Sequence, residues 1–260
     1  MRYDFVKLDI SDEIATITMC DPKTLNAASL AMVLEINDAL LRAEQEARAV
    51  IVTGEGRGFC SGANLGGDLR PDEPGYDAGA CLTTHYNPLM MTIRDLRVPI
   101  VTSVNGIAAG IGCAIALAGD IIIAAESAKF LQAFQGIGLI PDGGSSFLLV
   151  HSAGRARAME LMLLGEKLPA ATALEWGMIN RVVADAELGE TSRAFATRLA
   201  SGPTFAYERI RRLGWEACET SFEGSLRQER RFQREAGRTA DHRGAIAAFL
   251  AKTAAIFSGK

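Results

Sequence analysis

Alternating apolar and polar positions open the chain. Phe5 to Ile10 and Ile14 to Cys20 alternate or run apolar with β-branched residues, and Ser11-Asp12-Glu13 separates them, the pattern of a hairpin. After Asp21-Pro22 the period lengthens to that of a helix. Ser29 can cap it, Leu30, Val33, Leu34, Leu40 and Leu41 share one face, and Glu44, Glu46 and Arg48 mark its end. Ala49 to Thr53 follows as a short buried strand that runs into glycines. Helical spacing returns over Asn87 to Leu96. Pro99 to Val104 then reads as a strand, Ala108 to Leu117 as a small-residue helix and Asp120 to Ala125 as another buried strand, together a strand–helix–strand unit. Beyond Gly143 helices dominate, at Ser145 to His151, Arg155 to Leu164 and Ala170 to Trp176, with one more strand at Ile179 to Val183. The pattern predicts an α/β core with a helical tail.

Composition supports a full hydrophobic core and excludes disorder: 48% of the 260 residues are hydrophobic and 26 are glycine. Gly202-Pro203 is the clearest break in the helical stretch. It divides an expected core, residues 1–201, from a C-terminal helical region, residues 202–260. The formal net charge is −4, with no face-wide basic excess to neutralise a phosphate backbone, so nucleic acid is not an expected partner. No apolar run reaches the roughly 18 residues of a membrane span, and Met-Arg-Tyr-Asp-Phe alternates like a strand instead of a signal segment. A cytoplasmic protein is expected. Cys20, Cys60, Cys81, Cys113 and Cys218 are odd in number and scattered, and His85, His151 and His242 are equally dispersed. That distribution suits reduced thiols and offers no metal site.

Two glycine-dense segments carry possible chemistry. Gly56 to Leu65, which includes Gly58-Phe59-Cys60-Ser61-Gly62-Ala63-Asn64-Leu65, has backbone N–H groups that can face an anion. Val104 to Ala114 leads from a strand into a helix start, where unpaired N–H donors and partial positive charge collect. Each is a candidate half of an oxyanion hole, or simply a tight packing turn. A dinucleotide fingerprint does not fit the second, because Ile115 stands where Gly110-x-Gly112 would need a third glycine.

Asp142 lies in the apolar, glycine-flanked stretch Ile140-Pro141-Asp142-Gly143-Gly144, just ahead of a helix. As an N-cap it stabilises the helix; as a desolvated carboxylate it can act as a general base. The helix dipole favours the charged form and opposes the second role, so position alone leaves both open. The run Arg227 to Glu235 fits a solvated or inter-subunit face, with Lys252 near an anionic ligand as the sharper alternative. Ser145 or Ser146 with His151 could suggest a hydrolase, but no Gly-x-Ser-x-Gly elbow surrounds them.

At these motifs the chain resembles the enoyl-CoA hydratase/isomerase (crotonase) superfamily. Gly58 to Leu65 is similar to that family's first oxyanion segment, and Val104-Asn105-Gly106 with Gly110-Ile111-Gly112 to its second. Gly154 to Met159, Leu163-Leu164-Gly165, Glu175 to Ile179 and Ala236 to Asp241 through Lys252 resemble more narrowly the branch of ring-epoxide isomerases. The resemblance implies a spiral of strand–strand–helix turns with C-terminal helices that assemble trimers or paired trimers. It implies an acyl-CoA thioester substrate, with coenzyme A as part of that substrate and not a separate cofactor. The backbone N–H groups of Ala63 and Ile111 would bind the thioester oxygen. Ser61, Ala63, Phe134, Phe249 and Lys252 would contact substrate, the last two usually across subunits. Hydratases of the family place glutamates at the positions of Ala114 and Phe134, and both carboxylates are missing here. The isomerase relatives use one acid at the position of Asp142. A double-bond shift or ring-epoxide rearrangement is therefore expected, with hydration, using Asp142 or Glu126 to hold water, as the alternative and a non-catalytic acyl-CoA-binding subunit as a remote one.

Overall fold

The computed structural model describes residues 3–68 and 72–259. Among the described residues ten strands and eleven α-helices follow one another in a repeating order. The strands are β1 (Val6–Ser11), β2 (Ile14–Met19), β3 (Ala49–Gly54), β4 (Gly58–Cys60), β5 (Ile100–Val104), β6 (Ile107–Ala109), β7 (Ile121–Ala125), β8 (Lys129–Leu131), β9 (Leu168–Pro169) and β10 (Arg181–Val183). The helices are α1 (Leu30–Glu46), α2 (Leu65–Asp68), α3 (Asn87–Asp95), α4 (Ile111–Leu117), α5 (Ser145–Ala153), α6 (Arg155–Leu164), α7 (Ala170–Glu175), α8 (Leu188–Ala200), α9 (Thr204–Ala217), α10 (Phe222–Ala236) and α11 (Ala240–Ala251).

One sheet has the order β1-β2-β3-β5-β7-β10 and the other β4-β6-β8-β9. β1 and β2 form the expected antiparallel hairpin, closed at Ser11 and Ile14 by Asp12 and Glu13, both with positive φ. From β2 to β10 every neighbour in the larger sheet is parallel. Buried on both faces, these strands read as β-branched runs instead of alternation. β3 runs into β4, β5 into β6 and β7 into β8, so each turn of the chain crosses from the larger sheet to the smaller one. Because β4, β6 and β8 also pair in parallel, successive turns stack as a spiral of two strands and a helix. This is the α/β architecture the family resemblance implied.

Several boundaries differ from the sequence pattern for local reasons. Ser29 caps α1 as expected, its Oγ accepting from the Met32 N–H at 3.2 Å. The buried stripe, however, is Met32, Val33, Ile36, Ala39, Leu40 and Ala43, while Leu34 and Leu41 face solvent at 55% and 47% exposure. The first stripe already fills the space against the sheet. Ala108 belongs to β6, not to a helix: Gly110, at φ +52° and ψ −124°, breaks the chain and delays α4 until Ile111. The strand expected from Ile179 begins at Arg181. Of the acidic, proline-rich segment Pro71 to Ala80, Pro71 lies outside the described residues, and residues 72–77 are exposed.

The helical tail is tied back to the core by two arginines. Buried Arg211 of α9 places its Nε 2.6 Å from Asp120 Oδ2 and donates from its other nitrogens to the carbonyls of Ile93 and Leu96 at the end of α3. Arg48 donates to the carbonyls of Gly202 and Phe257, and Asp241 accepts from the N–H groups of Ser258 and Gly259. Among the described residues no helix is long and apolar enough to cross a membrane.

Candidate active site

The glycine-dense turn after β4 and the start of α4 meet at one cavity of about 160 Å³. Their approach depends on small residues. Gly62 has φ +105°, and a β-carbon there would lie 3.2 Å from the carbonyl oxygen of Ala109. A β-carbon on Gly112 would overlap the backbone and side chain of Cys60. The two strands that carry the turns can therefore pack at backbone distance.

Each turn fixes one peptide plane. The Gly62 carbonyl accepts from the Ala28 N–H at 2.7 Å, and the N–H and C=O of one trans peptide point to opposite sides, so the Ala63 N–H turns away from Ala28 and toward the cavity. The Gly110 carbonyl likewise accepts from the N–H groups of Cys113 and Ala114, at 3.0 and 3.2 Å. That leaves the Ile111 N–H, at the first position of α4, on the opposite side. Among the described residues neither the Ala63 nor the Ile111 N–H has a hydrogen-bond acceptor. Two free backbone donors, one of them at a helix start, suit an oxygen that gains negative charge.

Asp142 also lines this cavity. It does not cap α5: the N-cap is Gly144, and the contact with the helix start is from the Ser145 N–H to the Asp142 backbone carbonyl at 2.9 Å. Its Oδ1 is buried and has no hydrogen-bond partner among the described residues. Burial without a compensating donor disfavours the charged form and pushes the carboxyl pKa up to about 6. A carboxyl that titrates near neutrality can both take and return a proton. Asp142 bears the one carboxyl group among the described residues lining the cavity, whose walls are otherwise largely apolar.

Ser61 and Phe134 share the same cavity. The Ser61 hydroxyl donates to the Thr24 carbonyl at 2.7 Å and its N–H to the Leu25 carbonyl at 3.0 Å, which fastens the first segment to the chain before α1. Phe134 begins a 3₁₀ turn, with its Cζ 3.4 Å from where a Gly110 β-carbon would stand. Ala114 is buried beneath the Asp142 segment, 3.2 Å from the equivalent point on Gly143. Phe249 and Lys252 are not brought to the cavity by this chain; they sit exposed at the end of α11. Glu126 and His85 do not line it, whereas Tyr86 does. Ser145 and His151 form no pair: the Ser145 hydroxyl is buried without a partner among the described residues, and His151 Nδ1 lies 2.8 Å from the Phe147 carbonyl oxygen.

The bracing residues escape a reading by motif. Buried Asn26 has φ +59°, and its amide donates to the carbonyls of Gly58 and Glu55 at 2.8 and 3.0 Å. An Asn before a helix cap signals only a turn; its long-range partners are not visible in the sequence. Cys60 and Cys113, beneath the two turns, have thiols that burial pushes up to about 11 and about 12. At neutral pH both remain protonated packing groups.

Comparison with known proteins identifies the family. Residues 9–260 match the family "Enoyl-CoA hydratase/isomerase". Among curated relatives, a 1,2-epoxyphenylacetyl-CoA isomerase of Escherichia coli is 42% identical over 260 residues, 99% of each chain. A probable enoyl-CoA hydratase of Rhodobacter capsulatus is 39% identical over the whole of both chains. A crystal structure of a putative enoyl-CoA hydratase/isomerase from Mycobacterium abscessus superimposes with a TM-score of 0.90 at 34% identity, covering 98% of this chain and 100% of that one. With relatives of this identity matched end to end on the same spiral, the chain belongs to the enoyl-CoA hydratase/isomerase family.

Proposed function

We propose that the chain is an acyl-CoA isomerase that holds the thioester carbonyl between the N–H groups of Ala63 and Ile111 and uses Asp142 as its single general acid and base. The two donors stabilise the enolate-like state formed when Asp142 takes a proton from the acyl chain. Return of that proton to another carbon moves a double bond with no net gain or loss of atoms. The same machinery assists rearrangement of a ring epoxide, the chemistry named for the Escherichia coli relative. Phe134 serves as a wall for an apolar or ring-bearing acyl group. The observation that carries the reading is the carboxyl of Asp142, its Oδ1 buried without a partner among the described residues, in an otherwise largely apolar cavity. The Ala114 and Phe134 positions, where the family resemblance puts the hydratase glutamates, carry no group able to activate water.

The name of the Rhodobacter capsulatus relative keeps hydration as the second reading. Assaying crotonyl-CoA for hydration beside a 3-enoyl-CoA for isomerisation separates the two. Isomerisation with little water addition is expected; rapid stoichiometric hydration without isomerisation overturns the proposal. A chain that only binds acyl-CoA would be unaffected in pathway turnover by Asp142→Asn. In this reading coenzyme A belongs to the substrate, and the subunits assemble as homotrimers or dimers of trimers through the C-terminal helices. Exposed Phe249 and Lys252 then reach coenzyme A on a neighbouring subunit.

A further inference from the structure

The geometry points to Tyr86 as a positioning residue that holds the Ala63 N–H in place through Ala28. Tyr86 ends the π-helical turn Leu82–Tyr86 that precedes α3, is 2% exposed, and lines the cavity. Its hydroxyl donates to the Ala28 carbonyl at 2.9 Å, in a buried contact between residues 58 apart in the chain. Ala28, itself fully buried, donates its own N–H to the Gly62 carbonyl and pairs with Ala63 as an isolated parallel bridge. The relay therefore runs from the Tyr86 hydroxyl to Ala28, and from Ala28 to the peptide plane whose other end is the Ala63 N–H.

That plane begins at a glycine. Gly62 is the residue whose backbone rotates most freely, and its φ of +105° lies where side-chain-bearing residues rarely go. A donor aimed at a developing oxyanion is useful only when fixed before the charge forms, since reorganising it during the reaction forfeits part of the stabilisation. π-helical turns are rare and recur at functional sites. Here the turn delivers the Tyr86 hydroxyl onto Ala28 while α3 keeps Leu89 and Ile93 in the core.

The inference rests on the proposed oxyanion role of Ala63, and its test separates the two. Tyr86→Phe removes one oxygen and keeps the ring; Leu89→Ala weakens the same packing without touching the relay. For the isomerisation of a 3-enoyl-CoA, Tyr86→Phe is expected to lower kcat by about five- to tenfold with KM changed less than about twofold. In the same variant the thioester C=O stretch of bound acyl-CoA, read by infrared difference spectroscopy, moves back toward its frequency in water. Leu89→Ala is expected to lower the melting temperature more than Tyr86→Phe and to leave that frequency where it is. Should Tyr86→Phe not fold, the unchanged chain grown on 3-fluorotyrosine, a stronger donor, serves instead, and its bound C=O stretch moves to lower frequency. Unchanged kcat and C=O stretch in Tyr86→Phe, or an unmoved stretch in the fluorinated chain, overturns the positioning role while leaving the oxyanion hole intact. A bound thioester in the unchanged chain that vibrates as it does in water overturns the oxyanion hole and this inference with it.

Discussion

The Cδ1 atom of Ile111 fills the space a β-carbon on Gly143 would need. One residue supplies a candidate oxyanion donor, and the other follows the candidate acid in the chain, so the two halves of the chemistry touch through a missing side chain. Gly143 also has φ +58°, a conformation that disfavours any other residue. Gly143→Ala is expected to push the Asp142 segment off α4 and to lower kcat by about ten- to a hundredfold, the usual cost of a displacement near 1 Å. Shaving the opposing side chain in Gly143→Ala/Ile111→Val should restore part of that loss, though not the part due to backbone strain. A double-mutant cycle on kcat/KM measures the coupling, and strictly additive effects would refute the contact as the cause.

Asp142 provides the second prediction. Its carboxyl is raised to about 6 by burial, so the ionised form needed to take a proton is lost on acidification through that value. The kcat/KM profile for isomerisation is expected to show an acidic limb near pH 6. Stability runs the other way. With the folded pKa above the unfolded one near 3.8, the folded chain binds the proton more tightly. That contribution is whole below pH 3.8 and is lost as pH rises through 6. Asp142→Asn removes the cost of holding a buried charge at neutral pH and should raise the melting temperature there by a few degrees while lowering kcat by about 10²–10⁴-fold. A variant both slower and less stable at pH 8 would contradict this account.

How much of the site the sequence disclosed depended on whether its partners were local. The glycines at 62, 110 and 112 and the acid at 142 stand out because each breaks or punctuates a pattern, and the structure brings all but Gly112 to the cavity lining. β4, β6 and β8 were not legible: each has three residues, too few for a period to register, and they exist because three successive turns stack them in parallel. Asn26, Ala28 and Tyr86 were missed as braces for a different reason. Their hydrogen bonds reach 29 to 58 residues along the chain, and nothing in a neighbouring residue signals such a partner. On α1 Val33 and Leu40 pack as the spacing predicts, but Leu34 and Leu41, equally apolar, face solvent.

Gly110 tests the second candidate oxyanion donor. At φ +52° and ψ −124° its backbone suits glycine alone, and an added β-carbon would lie 3.4 Å from the Phe134 ring. Gly110→Ala is expected to turn the peptide that carries the Ile111 N–H and to cost about 10²–10³ in kcat, the usual loss of one oxyanion donor. Binding of coenzyme A without an acyl group should change little, because no carbonyl is then present to be held. Equal losses in kcat and in coenzyme A affinity, by steady-state kinetics and calorimetry, would instead indicate general collapse of the cavity.

Arg211 anchors the helical tail independently of the chemistry. Its guanidinium serves Asp120 and two main-chain carbonyls at the end of α3, and Asp120 in turn accepts from the Ile100 N–H at 2.7 Å. Burial pushes the Asp120 carboxyl up while Arg211 pulls it back toward the charged form, so the pair depends on both members. Arg211→Met keeps much of the side-chain volume but takes the guanidinium away from a partly buried carboxylate and two main-chain carbonyls. The expected loss is about 3–5 kcal/mol, larger than for removal of an exposed pair such as Arg94 with Asp95. Arg211→Met/Asp120→Asn should recover part of it, since the uncompensated charge is gone. Denaturant unfolding of the unchanged chain, Arg211→Met, Asp120→Asn and the double variant measures this, and a loss in Arg211→Met no greater than that of an exposed ion pair would show that the clamp does not hold the tail.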